Sequence, residues 1–467
     1  MRFYIFALLA LLLVPSPACR PARPRPSIIL ILVDTLRADY LGTYGFRGSV
    51  SPHVDALARE SIVFRNCFTP APWTKPAVAS LFTSLYPQVH GLTNHEGKYW
   101  GDETPGLKTG VLSERAVTLA EGLRDQGYRT GGFVSNPWIT SAYGFAQGFD
   151  FYHERETGLE TTVDDLADDA RSWLESLGSD GPYFLYLHFM DVHAPYDASH
   201  EDYRALLGSR DIYTGARLEP DELPDLRWSN IENRPDWATD EMRRGVRYWR
   251  ARYASGVRAF DRRLGKLIEW LRETGELERS LLVFTSDHGE ELHEHGGWSH
   301  GQNLYDHQLR VPLIVRNPGA RGGGAEVRSF VELVDLMPTL LSLAGSVAPE
   351  RAQGRDVSVL LEGGATQDPD VTFATATQRT PGLYSVRTPS HKLIYDINTE
   401  QRSLFDVVRD GDEQHDIAAR QPKITDELQD RLLRYIRDSV TGGTLEAGTA
   451  EIPPELKERL EALGYLQ

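Results

Sequence analysis

An unbroken apolar run near the amino terminus constrains the fold more than any other feature of the sequence. Residues 28–33 are all Ile, Leu or Val, and Asp34 follows them directly. A strand this apolar is typical of the centre of a parallel sheet that helices cover on both faces. A second apolar run, residues 281–285, is followed within two residues by Asp287. Two buried strands that each lead into a carboxylate predict a doubly wound α/β fold.

The positions of these carboxylates predict a metal site. In open α/β sheets, ligands bind at the edge formed by the carboxyl ends of the strands, which is where Asp34 and Asp287 stand. With His288 they offer two hard oxygen ligands and one imidazole, a set that suits zinc, manganese, magnesium or calcium. The alternatives are a helix cap for either aspartate and a plain turn for the Asp-His-Gly sequence.

Residues 70–87 place a hydroxyl group at the start of a predicted helix. From Pro76 onward, apolar residues recur at helical spacing, and proline suits a first helical turn. Thr74 would lie beside backbone N–H groups and a helix dipole that favour an anionic ester, which its hydroxyl could attack. The alternative is that Thr74 only caps the helix.

The amino terminus predicts an exported protein. The apolar residues 3–14 are followed by Pro-Ser-Pro-Ala-Cys, the layout of a secretory signal peptide, which we assign to residues 1–19. Cys19 is a candidate site for a lipid anchor, because it follows a small residue as in bacterial lipoproteins, although a proline stands two residues before it. Residues 20–26 form a Pro/Arg-rich linker. We expect a periplasmic or cell-envelope location.

The overall composition argues against a nucleic acid partner, internal disulfide bonds and a membrane span after the signal. A formal net charge of −17 opposes binding to a phosphate backbone, so we expect no nucleic acid partner. The only cysteine besides Cys19 is Cys67, so the mature chain has no internal disulfide framework. No stretch after the signal is long and apolar enough to cross a membrane. We also infer no obligate protein partner.

A series of short motifs is distributed along residues 27–467. They are residues 31–39, 51–58, 73–91, 127–130, 189–196, 286–290, 298–301, 311–313, 403–406 and 463–465. In this order they resemble the sulfatase family of the alkaline phosphatase superfamily. The resemblance implies a metal-dependent ester hydrolase with an alkaline-phosphatase-like fold: a doubly wound, mostly parallel sheet with helices on both faces. We assign residues 27–350 to this catalytic domain, and residues 365–467 to a C-terminal α+β subdomain with a small antiparallel sheet and helices.

The resemblance also implies roles for the metal ligands and the nucleophile. Asp34, Asp287 and His288 would bind one divalent ion, and Thr74 would contact it as the nucleophile. In the family, an anionic ester substrate occupies this site, and here the organic part would be a small molecule, a lipid or a glycan.

Four further residues are implied in catalysis or substrate binding. His193 matches a family position that contacts the anionic group or the leaving oxygen. His300 matches a position that stabilises the ester group or protonates the leaving oxygen, and its alternative is a loop histidine exposed to water. Asn136 falls near a substrate-contact segment, although the family's lysine and histidine are absent there, and it could instead be a turn residue. Lys75 is a candidate to neutralise the substrate's charge, with a solvated lysine as the alternative.

Two-metal members of the superfamily add an aspartate and two histidines around a second ion. Candidates here are His188, Asp191 and His193, or the pair His293 and His295. Asp191 is followed four residues later by proline where such members have histidine, so we expect a single metal ion, with the His293 and His295 pair in a polar loop.

The chain departs from true sulfatases in a chemically informative way. Sulfatases carry a cysteine or serine that is converted to formylglycine, with an arginine four residues later; this chain has Thr74 and Val78. The second aspartate of the family's Asp-Asp pair is replaced by Thr35. Threonine cannot become formylglycine, and a sulfated threonine would have to be cleaved by attack at sulfur.

These departures favour phosphoryl chemistry. We expect hydrolysis or transfer of phosphate diesters or related phosphoryl esters through a covalent Thr74 intermediate, as in superfamily relatives with threonine nucleophiles. One alternative is a sulfuric ester hydrolase. The other is an exported binding protein that has kept the fold and lost the chemistry.

Overall fold

A computed structural model of the chain describes residues 25–93, 95–96, 108–155, 161–178, 181–194, 196, 240–366, 370–376 and 380–452. The predicted signal peptide, Cys19 and most of the predicted linker lie outside these residues. Within them, no helix is both long and apolar enough to span a membrane. Cys67 is a buried free thiol.

Eighteen strands are present in the described part of the chain. They are β1 (Ser27–Val33), β2 (Ile62–Phe68), β3 (His95–Glu96), β4 (Lys108–Val111), β5 (Arg129–Val134), β6 (Phe151–Glu154), β7 (Tyr183–Phe189), β8 (Ser280–Ser286), β9 (Glu291–Leu292), β10 (Trp298–Ser299), β11 (Arg310–Arg316), β12 (Glu326–Val327), β13 (Val331–Glu332), β14 (Thr372–Ala376), β15 (Leu383–Arg387), β16 (His391–Asp396), β17 (Arg402–Asp406) and β18 (Gly448–Glu451).

The described α-helices alternate with these strands. They are α1 (Pro52–Arg59), α2 (Thr74–Thr83), α3 (Pro87–His90), α4 (Leu119–Asp125), α5 (Val163–Leu177), α6 (Asp240–Glu273), α7 (Glu276–Arg279), α8 (Asp306–Leu309), α9 (Leu336–Leu343), α10 (Ser358–Leu361) and α11 (Pro422–Ser439). Short 3₁₀ turns cover Ala38–Tyr40, Gly42–Tyr44, Ser141–Tyr143, Pro318–Ala320 and Leu333–Asp335.

A nine-stranded sheet forms the centre of the molecule. Its order is β12-β2-β11-β8-β1-β7-β5-β6, with β13 also paired to β2. The strand β11 runs antiparallel to both of its neighbours, and the other described pairs are parallel. The predicted mostly parallel sheet is therefore confirmed.

Helices cover both faces of this sheet, as the apolar run in β1 predicts. Alternate side chains of β1 point to opposite faces, so Ile28, Leu30 and Leu32 belong to one buried core and Ile29, Ile31 and Val33 to the other. The first core includes side chains of α2, α4 and α9, and the second includes side chains of α1, α5 and α6. The doubly wound architecture is confirmed.

A small antiparallel sheet of order β14-β15-β16-β17 follows the central sheet in the chain. One of its faces packs against α11 through Leu393, Leu404 and Leu432, and the other packs against Leu304 and Leu309 of the main body. The predicted C-terminal sheet subdomain is thus present. The strand β18 does not join it and instead pairs with β4. The residue boundaries assigned to the two domains stay predictions.

The register of the central strands determines where the polar residues meet. Val33 of β1 lies opposite Ser286 of β8, so the residues that follow, Asp34 and Asp287, emerge side by side. On its other side, β1 pairs with β7, where Leu32 lies opposite His188. The carboxyl edge of the sheet therefore gathers the predicted metal ligands.

Candidate active site

Asp34, Asp287 and His288 form a compact, fully buried cluster. One ligand atom from each lies within 4.8 Å of the other two, and each side chain is 0 % exposed. Asp34 Oδ1 and Asp287 Oδ2 are buried without a hydrogen-bond donor among the described residues. Buried polar atoms are rarely left unpaired, so these oxygens fit a divalent cation.

The imidazole of His288 is also oriented so that it could bind a divalent cation. Its Nδ1 lies 2.8 Å from the carbonyl oxygen of Gly289, to which an Nδ1–H donates. That tautomer leaves the lone pair of Nε2 facing Asp34 and Asp287. The donor set of two carboxylates and one imidazole fits one small divalent ion.

The two carboxylates of the cluster, Asp34 and Asp287, repel each other electrostatically. Burial raises the pKa of Asp34, but the hydrogen bond from His188 and the charges of His193 and His288 outweigh it and hold that pKa below its ordinary value. Burial and the negative charge of Asp34 raise the pKa of Asp287 well above its ordinary value. Burial lowers the pKa of His288. A cation among these groups would relieve the repulsion.

The turn after β1 is strained and firmly held. Thr35 has φ 58°, a left-handed conformation that is rare for a β-branched residue. The Tyr253 hydroxyl donates to the Thr35 carbonyl oxygen at 2.7 Å, and the Thr35 N–H donates to Asp287 Oδ1 at 3.3 Å. Strain of this kind persists at functional sites where surrounding contacts fix the backbone.

Thr74 begins α2 and is 0 % exposed. Its Oγ1 lies 3.3 Å from Asp34 Oδ2 and 3.4 Å from His288 Nε2. The predicted nucleophile therefore contacts two of the three predicted metal ligands, Asp34 and His288. The helix begins two residues before Pro76, so Thr74 is its first residue rather than its cap.

Asn136 follows β5 and contacts both the predicted nucleophile, Thr74, and a predicted metal ligand, Asp34. Its Nδ2 donates to Asp34 Oδ2 at 2.5 Å and lies 3.4 Å from Thr74 Oγ1. Its Oδ1 accepts from the backbone N–H of Trp138 at 2.7 Å. The side chain thus belongs to the site and also holds its own turn.

A short hairpin places a histidine and a glutamate beside the cluster. Ser299 of β10 lies opposite Glu291 of β9, which brings the flanking residues His300 and Glu290 together. His300 Nδ1 lies 3.1 Å from Glu290 Oε1, and the His300 ring lies 4.5 Å from that of His288. Burial raises the pKa of Glu290 to about 7, although the charges of His193 and His288 oppose that rise.

His193 completes this side of the site. Its ring centroid lies 5.3 Å from that of His300, and its Nδ1 lies 2.8 Å from the carbonyl oxygen of Ala194. Both histidines are at least nine-tenths buried, so the water-exposed alternative is wrong for His300. The sequence analysis assigned no role to Glu290; its position directly after the ligand-bearing turn is the signal that could have indicated one.

Lys75 lies apart from these groups. The side chain is 2 % exposed, so the solvated alternative is wrong. Its Nζ donates to Thr109 Oγ1 at 2.7 Å and lies 3.9 Å from the centroid of the Tyr143 ring. Burial lowers its pKa well below the ordinary value. The contacts described for Lys75 do not include a metal ligand, and its role in substrate binding stays a prediction.

The candidates for a second metal site do not converge in the described part of the chain. Asp191 Oδ1 instead accepts from Arg263 at 2.8 Å and from the N–H of Val163 at the start of α5. His293 stacks on Trp298, and His295 stacks on Tyr305. Among the described residues, the one group with metal-site spacing is Asp34, Asp287 and His288.

Comparison with known proteins gives two matching family profiles. The family described as "Sulfatase" matches residues 26–346. The family described as "N-sulphoglucosamine sulphohydrolase, C-terminal" matches residues 293–438. The first match covers well over half of the chain.

Individual relatives have names that describe different activities. The chain is 27% identical to the multifunctional alkaline phosphatase superfamily protein PehA of Trinickia caryophylli, over 74% of this chain and 78% of that protein. It is 23% identical to N-acetylglucosamine-6-O-sulfatase of Bacteroides thetaiotaomicron, over 84% of this chain and 82% of that protein. Among solved structures, the phosphonate monoester hydrolase of Agrobacterium radiobacter shares the fold, with a TM-score of 0.67 at 21% identity, over 92% of this chain and 100% of that one.

Proposed function

The chain belongs to the sulfatase family of the alkaline phosphatase superfamily, and on that premise we propose that it cleaves anionic esters through a covalent bond to Thr74. The observation that carries the proposal is the position of the Thr74 hydroxyl, fully buried and within 3.4 Å of both Asp34 and His288. A role as a helix cap alone would not explain why the Thr74 hydroxyl contacts two buried residues that we propose as metal ligands, Asp34 and His288.

The residues present fit a divalent metal ion held by Asp34, Asp287 and His288, with Thr74 beside it. When bound, such an ion supplies Lewis-acid chemistry, which makes a hydroxyl more acidic and stabilises charge on an ester oxygen. The metal is manganese, zinc, calcium or magnesium in this proposal.

The chain's own residues provide the remaining steps. Asp34 Oδ2 accepts the hydrogen bond of the Thr74 hydroxyl and orients it toward the ester. The Thr74 hydroxyl gives its proton to Asp34 Oδ2 as its oxygen forms a bond to phosphorus. The bond from phosphorus to the leaving oxygen breaks, and His300 gives that oxygen a proton. Glu290 orients the His300 ring through Nδ1. Water then attacks phosphorus and gives a proton to His300, the bond from phosphorus to the Thr74 oxygen breaks, and that oxygen takes back the proton held by Asp34.

The identity of residue 74 favours phosphorus over sulfur. A formylglycine hydrate can release sulfate by returning to its aldehyde, and threonine has no such route. We therefore propose phosphate diesters or related phosphoryl esters as the first substrate class. The names of two relatives support it, a multifunctional superfamily protein and a phosphonate monoester hydrolase.

Sulfate esters are the second candidate, and the comparisons favour them more than the first. Both matching family profiles carry sulfatase names, and so do N-acetylglucosamine-6-O-sulfatase and an arylsulfatase of Clostridium perfringens. Against this candidate stand Thr74 and Val78, which replace the residues that family sulfatases need.

We further propose that the substrate is a small-molecule, lipid or glycan ester outside the cytoplasm. The sugar substrate in the name N-acetylglucosamine-6-O-sulfatase supports a glycan. The signal-like residues 1–19 support export to the periplasm or cell envelope, and Cys19 offers a site for a membrane anchor.

The test compares turnover of four aryl esters: a sulfate, a phosphate monoester, a phosphodiester and a phosphonate. Metal-stripped enzyme is supplied in turn with manganese, zinc, calcium or magnesium, and wild type is compared with Thr74→Ala. The matched control is Thr83→Ala, a buried threonine of the same helix whose hydroxyl donates to the Ala79 carbonyl.

Phosphodiester or phosphonate turnover that disappears in Thr74→Ala and persists in Thr83→Ala supports the first candidate. Sulfate turnover that survives Thr74→Ala means that the nucleophile lies elsewhere and that the chain hydrolyses sulfate esters. Metal binding without turnover of any ester favours the catalytically inactive binding protein.

A further inference from the structure

His188 lies next to the metal ligands and has no part in the chemistry described above. It stands on β7, the neighbour of β1, and its side chain is 0 % exposed. Its Nε2 lies 3.4 Å from Asp34 Oδ2, and its Nδ1 lies 2.9 Å from the Tyr186 hydroxyl. Both ring nitrogens are therefore engaged by buried partners.

The chemistry of the partners fixes the direction of these hydrogen bonds. A carboxylate only accepts, so His188 Nε2 carries the hydrogen that faces Asp34. In the neutral ring Nδ1 then accepts, and the Tyr186 hydroxyl donates to it. Burial raises the pKa of Tyr186 well above its ordinary value, so the hydroxyl keeps its proton. The result is a buried chain of donors from Tyr186 through His188 to Asp34.

The two oxygens of Asp34 have different surroundings. Oδ2 faces three donors, Asn136 Nδ2 at 2.5 Å, Thr74 Oγ1 at 3.3 Å and His188 Nε2 at 3.4 Å. Oδ1 has no hydrogen-bond donor among the described residues. A carboxylate group that rotated would exchange these two oxygens and disturb both the metal ligand and the nucleophile.

We propose that His188, held by Tyr186, is a positioning residue that fixes the Asp34 carboxylate with Oδ1 toward the metal ion and Oδ2 toward Thr74. The inference rests on the proposed function, since it assumes that Asp34 is a metal ligand. Hydrogen bonds that orient a ligating side chain contribute strongly to metal binding, and their loss typically weakens metal affinity by about 10- to 100-fold.

The test measures Mn²⁺ affinity by titration of the metal-stripped full chain, together with kcat and KM on the best aryl ester. Three variants are compared: Tyr186→Phe removes the donor to His188, His188→Leu removes the donor to Asp34, and His188→Gln replaces that donor with an amide. Tyr186→Phe is the mildest, because its ring packs against Phe82 and Phe149 and these contacts do not need the hydroxyl. The matched control is Tyr183→Phe, on the same strand, whose hydroxyl donates to Glu276 instead.

We expect Mn²⁺ affinity to fall by about 10- to 100-fold in His188→Leu and by a smaller factor in Tyr186→Phe, with no change in Tyr183→Phe. His188→Gln should recover part of the loss, because its amide can donate to Asp34 Oδ2. At saturating Mn²⁺, kcat should fall more than KM changes, since Thr74 loses its fixed acceptor. Thermal unfolding of the metal-free proteins verifies that each variant folds.

Two results would overturn the inference while leaving the proposed function intact. Wild-type Mn²⁺ affinity in both His188→Leu and Tyr186→Phe would show that the chain of donors does not position Asp34. Equal losses in His188→Gln and His188→Leu, with no loss in Tyr186→Phe, would make His188 a metal ligand itself. Wild-type protein that binds none of the four metals would overturn the proposed function along with the inference.

Discussion

Replacing Asp287 by asparagine should have opposite effects on stability with and without metal. The Oδ1 atom of Asp287 accepts from the backbone N–H groups of Thr35 and His288, and asparagine keeps an oxygen for both. The other oxygen has no donor, and it faces the second carboxylate, Asp34. The substitution therefore removes a repulsive charge and preserves the local hydrogen bonds.

The size of the effect follows from the geometry. Ligand atoms of the two carboxylates lie within 4.8 Å. At an effective dielectric constant of about 20, two like charges at this separation repel by about 3.5 kcal/mol. Burial and the charge of Asp34 raise the pKa of Asp287 in the folded protein, so the metal-free wild type loses stability as pH rises above the ordinary pKa of the group. The variant has no such loss.

Urea unfolding of the metal-free proteins at about pH 5 and about pH 8 measures this difference. At the higher pH we expect Asp287→Asn to be more stable than wild type by up to about 3 kcal/mol. With Mn²⁺ at about 1,000 times the wild-type Kd the order should reverse, because a ligand at that excess adds about 4.1 kcal/mol to a protein that binds it.

The control is Asp191→Asn, which removes a buried charge paired with Arg263 and should destabilise the protein equally with and without metal. A metal-free Asp287→Asn protein that was less stable than wild type at the higher pH would refute the reasoning. So would an equal gain in stability from Mn²⁺ in both proteins.

Three further predictions concern other parts of the structure. Burial raises the pKa of Glu332 to about 8, so stability should fall as pH rises toward that value; in urea unfolding Glu332→Gln should show a flatter pH dependence. His300→Ala should lower kcat by about 10²- to 10⁴-fold on esters with a poor leaving group and much less on a nitrophenyl ester, because a good leaving group needs no proton. Lys392→Met removes the cation that the buried Glu413 shares with Asp306, while Asp306 keeps Arg387; it should reduce the unfolding free energy by about 3–5 kcal/mol, with kcat of the folded protein unchanged.

A specific result would contradict each of these predictions. An unchanged slope in Glu332→Gln would mean that this carboxyl titrates normally. Equal losses of His300→Ala on both leaving groups would rule out proton donation. The exposed pair Arg402 and Asp426 is the control for Lys392, since Arg402→Met should change stability by less than about 1 kcal/mol.

The sheet and the cluster of Asp34, Asp287 and His288 could be predicted because their signals are local. An apolar run that ends in an aspartate indicates a buried strand and a ligand at its carboxyl end without knowledge of the rest of the chain. Asp34 and Asp287 meet because β1 and β8 are neighbouring strands in register. The two apolar runs alone do not indicate this strand order, but the resemblance of the motifs to a known family predicts that the two aspartates lie together.

The surroundings of the ligands could not be predicted in the same way. Contact between His188 and Asp34 depends on β7 lying next to β1, and strand order is a property of the whole fold. Pairing of Glu290 with His300 depends on a hairpin of two-residue strands, too short to give a periodic pattern. Lys75 was expected in water or at the substrate, and its burial against Tyr143 follows from the packing of α2.

The most direct test of the account is to trap the covalent intermediate. Wild-type protein with metal is mixed with a phosphodiester, quenched in acid during turnover, digested, and its peptides sequenced by mass spectrometry. We predict a phosphoryl ester on Thr74, absent in a Thr74→Ala digest prepared in the same way. Steady turnover with no modified Thr74 peptide, or a modification on another residue, would contradict the account.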